Sequence, residues 1–148
     1  MRKVLHPVAG GLALLMILTF WAATVVSELS GAPPAIVAVK TAIAWALIGL
    51  IPALAAAGGT GFALAKGRDG GLVRAKRRRM PFIAANGLLV LVPAALFLAV
   101  KAGAGELDAA FYGVQAVELI AGAANIVLLG LNMRDGLRMR PRPSRSPA

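Results

Sequence analysis

Four long apolar runs constrain this chain more than any other feature. They cover residues 8–27, 35–57, 81–101 and 109–133, and each matches the roughly 20 apolar residues that cross a hydrocarbon core about 30 Å thick. Backbone polar groups in lipid must be satisfied within their own segment, so runs of this kind fold as helices. Composition agrees: 59% of the chain is hydrophobic and 15% charged, against about 25% charged residues in an average soluble domain. The sequence predicts an all-α membrane protein, a bundle of four transmembrane helices over residues 1–138. A Pro/Ser/Arg-rich tail at 139–148 follows and is expected to be disordered. The connections between runs are too short to hold a soluble domain.

Arg2 and Lys3 before the first run resemble the start of a signal peptide. The run outlasts the 7–15 apolar residues of such a peptide, about as a membrane helix does, and no clean small-x-small cleavage site follows it. We therefore expect the first run to be a retained helix.

Charge fixes an expected orientation. With four spans, both termini share one side with the segment 58–80, and that side carries 14 of the 16 basic residues. It also holds Asp69 and Asp135, for a net +12, whereas the rest of the chain has Lys40 and Lys101 against four carboxylates, or −2. The positive-inside rule then places the N and C termini in the cytoplasm. The same partition accounts for the chain's net +10 without nucleic acid. No aromatic residue interleaves the basic run at 74–79, as a base-stacking platform requires. The expected partner of these charges is a bilayer with anionic headgroups. The glycine-rich stretch 58–71 lacks the G-x-x-x-x-G-K-[ST] spacing of a phosphate loop and is expected to be a flexible helix exit.

Much chemistry is excluded at the outset. Without Cys there is no disulfide, thiolate nucleophile or iron–sulfur ligation, and one His with six carboxylates leaves little for a metal site or a hydrolytic triad. No catalytic residue and no metal ligand set is expected.

Helical phase, at about 100° per residue, sorts the spans into faces. In the second span Ala38, Ala42, Ala46, Gly49, Ala53 and Ala57 form a stripe of small residues, the expected packing face within the monomer or between copies. Lys40 lies about 150° from the centre of that stripe, near the periplasmic end, where its stem is expected to snorkel to the headgroups. Trp21 and Trp45 fit either packing or, for Trp21, an interfacial anchor.

The fourth span carries the most information. Gln115, Glu118, Gly122, Asn125, Leu129 and Asn132 share one face. Four polar side chains in line do not face lipid comfortably, and a carboxylate at that depth costs about 2.5–3.5 kcal/mol on insertion scales. The stripe is therefore expected to face the bundle interior, and Glu118 to need a cation or hydrogen-bond donor. His6, Gly10, Ala13, Ile17, Phe20, Trp21, Thr24 and Glu28 form the face of the first span that can meet it. Asn86 adds an amide to the third span, and Pro93 is expected to kink it. The candidate intramembrane polar site is Glu118 with Gln115, Asn125, Thr24, Glu28 and Lys40, with Thr41 as a further neighbour. A cytoplasmic-side polar level collects His6, Asn86 and Asn132, and Asn125 lies at its height.

The strings LHPVAGGLALLMILTFWAATVVSE, MPFIAANGLL and LLGLNMRDG resemble those of uncharacterised small four-span proteins of bacterial inner membranes. The resemblance spans nearly the whole chain and implies a multi-pass inner-membrane location, with no activity to carry over. Small multidrug transporters are similar in size, but their essential carboxylate lies in the first span and the intramembrane Glu here lies in the fourth. Membrane b-type cytochromes share four helices and commonly pair two His on facing helices, which one His cannot supply within a single chain.

Three functions fit the sequence. The first is a non-catalytic accessory subunit or a small-molecule or lipid-binding module, organised around the polar stripe of the fourth helix, alone, as a homo-oligomer or in a larger membrane complex. The second is a small transporter or proton pathway using Glu118. The third is a redox protein holding haem or quinone, with His6 contributed by two copies. No cofactor is implied by the residues themselves.

Overall fold

The computed structural model describes residues 2–65 and 70–138. Among them every regular element is helical: α1 (Arg2–Ser30), α2 (Pro33–Ala65), α3 (Gly71–Asn86), a π-helical turn (Gly87–Leu91), α4 (Val92–Gly103) and α5 (Ala109–Arg138). α3, the π turn and α4 follow one another without a break and form the third span. Four helices are thus long and apolar enough to cross a membrane: His6–Ser30, Pro33–Gly61, Gly71–Gly103 and Ala109–Arg138. The proposed tail, together with Lys66, Arg68 and Asp69, lies outside the described residues.

Helix ends follow from local chemistry. Gly31 takes a left-handed φ of 62° after α1, and Pro33 opens α2 two residues later. A prolyl ring suits the first turn, where its missing N–H leaves no hydrogen bond unmade. α4 ends the same way at Gly105, φ 73°. There the Glu106 amide donates to Lys101 O (2.9 Å) and the Gly105 amide to Ala102 O (3.0 Å), the paired bonds of a Schellman motif. Asp108 then caps α5, its Oδ1 accepting from the Phe111 amide at 2.9 Å.

One connection differs from the sequence expectation. α2 continues to Ala65 and α3 begins at Gly71, so most of the stretch 58–71 is helix rather than a flexible exit. The basic run 74–79 likewise lies on α3, leading directly into the third span. Pro93 shows itself as a widened turn. The Val92 amide donates to Gly87 O, five residues back, just before the position where a prolyl nitrogen has no proton to donate.

The helices form a four-membered ring. α1 packs on α2 and α5, and α4 packs on α2 and α5, while α2 and α5 stand diagonally opposite with no close backbone approach among the described residues. Ala13 and Ile17 of α1, Ile43, Leu47 and Leu50 of α2 and Ala95 of α4 make the central core. Ile36, Leu98, Ala102 and Phe111 close the end near the α4–α5 connection. The outer faces are apolar as well. Val26, Trp45, Ile48, Leu89 and Ile120 are each about two-thirds exposed or more, the pattern of a bundle whose surface solvent is lipid.

The small-residue stripe of α2 is packed within the chain only in part. Ala38, Ala42 and Gly49 are exposed, Ala46 and Ala53 half-buried, and only Ala57 is buried. The buried face is Ile36, Lys40, Ile43, Leu47, Leu50 and Ala57. Larger side chains point inward because the ring encloses a central volume that alanines would leave empty.

Candidate functional site

Lys40 sits on that inward face of α2 and is fully buried. Its ammonium donates to Glu118 Oε2 of α5 at 2.5 Å and approaches Thr24 Oγ1 of α1 at 3.4 Å. This corrects the snorkelling expectation. The phase argument placed Lys40 well away from the small-residue stripe, and the buried face of α2 takes in Lys40 together with Ile36, Ile43, Leu47 and Leu50. The lysine stem is what lets the pair form. It crosses the diagonal between α2 and α5, a gap their backbones do not close.

The sequence-predicted neighbours gather around this pair. Gln115 Nε2 lies 3.4 Å from Glu118 Oε2, and both Gln115 and Thr24 are buried. Glu28 lies within electrostatic range of both Lys40 and Glu118. Glu28 Oε1 and Gln115 Oε1 are buried without a hydrogen-bond partner. Thr41 points outward and takes no part. Sequence reasoning missed Ser27, which is buried one turn from Thr24 and donates to that residue's own carbonyl at 2.9 Å. Its spacing on the α1 face was the available signal.

An apolar cavity adjoins the pair at the centre of the ring. Its volume is about 60 Å³ and it is partly open. Ile17, Phe20 and Trp21 of α1, Leu47 of α2, Ala95 of α4 and Leu119 of α5 are among its walls, while Glu118 and Thr24 supply its polar end. Both hydrogen bonds of Glu118 fall on Oε2. Trp21 belongs to the packing: its indole N–H donates to Leu119 O at 2.9 Å, and a Cβ on Gly122 would stand 3.1 Å from Trp21 Cδ1.

Asn125 lies away from Glu118, toward the other end of the bundle. Asn86 Nδ2 donates to Asn125 Oδ1 (3.0 Å) and Ala121 O (2.8 Å), tying the third span to α5 beside the π turn. Asn132 Nδ2 meets Met80 Sδ at 3.5 Å. His6 joins neither. Its Nδ1 lies 2.9 Å from Ala57 O and 3.2 Å from Thr60 Oγ1, and its Nε2 3.2 Å from Lys76 Nζ. The expected level is therefore three separate contacts. A fourth was missed: Asp135, one turn beyond Asn132 on the same stripe, is buried and pairs with Arg79 at 2.7 Å.

At the opposite end Lys101 pairs with Glu106 (3.0 Å) and Asp108 (2.7 Å). The Lys101 ammonium and the Phe111 amide hold the Asp108 carboxyl below its ordinary range. Among the described residues no group of three or more His, Cys, Asp or Glu could hold a metal ion. No protein-family model matches the chain, and comparisons with curated proteins and with solved structures find no match.

Proposed function

We propose that this protein is a non-catalytic, multi-pass protein of a bacterial inner membrane that binds a small lipophilic molecule at the centre of its bundle. The observation that carries the reading is the buried Lys40–Glu118 pair, whose carboxylate borders a small apolar cavity together with Thr24. Ligand sites combine such an apolar body with a few placed polar groups. An intramembrane ionisable residue is a functional-site candidate by default, and here the carboxylate also borders the cavity. The apolar walls between Glu118 and the Asn86–Asn125 contact favour binding over a continuous proton path.

Native mass spectrometry of protein extracted from its own membranes in mild detergent tests this reading. The expected result is a bound small molecule or lipid on the wild type that Ala95→Leu, which fills the cavity, removes. Identical spectra for the two proteins would overturn it.

We also propose that both termini face the cytoplasm, where Arg74, Lys76, Arg77, Arg78 and Arg79 meet anionic headgroups. The chain has no Cys, so single cysteines report sidedness. In intact cells a membrane-impermeant maleimide should label Glu106→Cys and leave Arg77→Cys unlabelled; the reverse pattern would invert the assignment.

A further inference from the structure

From the contacts of the chain's one histidine we infer a latch worked by a proton: neutral His6 ties α3 to α1 and α2 at the end of the bundle that carries both termini, and protonated His6 lets α3 go. The cavity plays no part in it. The two ring nitrogens face opposite chemistry. Nδ1 lies 2.9 Å from Ala57 O and 3.2 Å from Thr60 Oγ1. A carbonyl only accepts, and the Thr60 hydroxyl gives its own proton to Ala56 O, so Nδ1 carries a proton. Nε2 lies 3.2 Å from Lys76 Nζ. An ammonium only donates, so Nε2 offers its lone pair, and the neighbours fix one neutral tautomer. The ring is lodged on bare backbone, since a Cβ on Gly61 would stand 3.0 Å from its Cε1. A proton taken up at Nε2 replaces the acceptor by a second donor and sets two positive charges against each other. The Lys76 contact then turns from bond to repulsion.

The other groups at this end leave the latch to His6 and Lys76. α2 presents the Ala57 carbonyl and the Thr60 hydroxyl, neither of which titrates. On α3, Arg79 is turned to Asp135, and Arg74, Arg77 and Arg78 are exposed. α5 presents Asp135, buried and held by Arg79 at 2.7 Å and Arg134 at 3.7 Å. Arg2 and Lys3, which precede His6 on α1, stay charged wherever histidine titrates. Among the described residues α1 and α3 make no close backbone approach, and α2 and α3 only a slight one. The His6–Lys76 bond therefore spans a gap that packing does not close. Once released, the Lys76 ammonium has α5 beside it, 3.7 Å from the Cβ position of Gly136 and next to Asp135. The π turn Gly87–Leu91, just before Pro93, gives the third span a place to bend.

With one histidine in the chain, NMR of isotope-labelled histidine in phosphatidylcholine nanodiscs reads the latch directly. Nδ1 should be protonated and Nε2 bare at about pH 8, with one proton taken up at Nε2 between about pH 8 and about pH 5, where histidine ordinarily titrates. The chain has no Cys, so Val8→Cys on α1 and Arg78→Cys on α3, both exposed positions, carry spin labels whose separation dipolar electron resonance measures. One short separation is expected at about pH 8. In acid a longer one should grow, its ratio to the short one rising at least about tenfold as His6 charges, the range of one hydrogen bond to a charged group. Lys76→Met should show the longer separation at every pH, and Asp135→Asn should leave the midpoint of the wild-type response where it is. A bare Nδ1, no proton uptake above about pH 5, or a separation that ignores the uptake would each overturn the latch on wild-type His6 and Lys76 alone. A Lys76→Met protein that responds to pH as the wild type does, or an Asp135→Asn protein that has lost the response, would overturn it as well.

Discussion

Replacing Lys40 by Met tests whether the diagonal pair holds the bundle together. Methionine keeps the apolar stem, fits the fully buried position, and removes only the ammonium. Glu118 is then left with the Gln115 amide at 3.4 Å and with Glu28 as a nearby like charge. Stranding one member of a buried pair costs about 3–5 kcal/mol. The double variant Lys40→Met/Glu118→Gln removes both charges and should recover most of that loss, because replacing a whole buried pair is often close to neutral. Unfolding in mixed micelles with increasing dodecyl sulfate, followed by circular dichroism, measures all four proteins of the cycle. The expected order of stability is wild type and double variant well above Lys40→Met. A deficit under about 1 kcal/mol, the range of an exposed pair, would mean that Lys40 lies at the headgroups after all and that no diagonal pair forms.

Other contacts give smaller, separable effects. Gly122→Val should destabilise by about 1–3 kcal/mol through overpacking, since even a Cβ there stands 3.1 Å from Trp21 Cδ1; Gly130→Val, with open space around its Cβ position, is the matched control in the same unfolding assay. Asn86→Leu removes two hydrogen bonds to α5 and should cost about 1 kcal/mol, at about 0.6 per bond in membrane helices, with increased amide exchange around the π turn. For Asp108 the lowered folded-state pKa sets the sign: its contribution is present above the unfolded-state pKa and is lost as the pH falls through the folded-state value. The stability difference between wild type and Asp108→Ala should therefore vanish in strong acid, and a difference that persists there would show the carboxylate's charge to be irrelevant.

Periodicity and charge made much of this legible in the sequence. Hydropathy located four spans because lipid accepts no unsatisfied backbone, and the polar phase of α5 identified an inward stripe that the fold extends to Asp135. The α1 face from Ala13 to Thr24 was read correctly for the same reason: a helix repeats its faces every few residues whatever it packs against. What a single helix cannot state is which of two opposite faces looks inward. On α2 the small-residue rule marked the alanine side for packing within the monomer or between copies, and the chain packs that side only in part; the centre of the ring is filled by Ile43, Leu47, Leu50 and Lys40. That placement carried Lys40 from the headgroups to Glu118.

The sequence by itself determined the solvent of this protein, the number of its spans and the scarcity of charge that makes Glu118 conspicuous, because those depend only on composition along the chain. The tertiary structure alone decided that Glu118 meets Lys40 and borders a cavity. The partners are 78 residues apart, and they meet because the ring of helices sets α2 and α5 diagonally, at a distance only a long side chain spans.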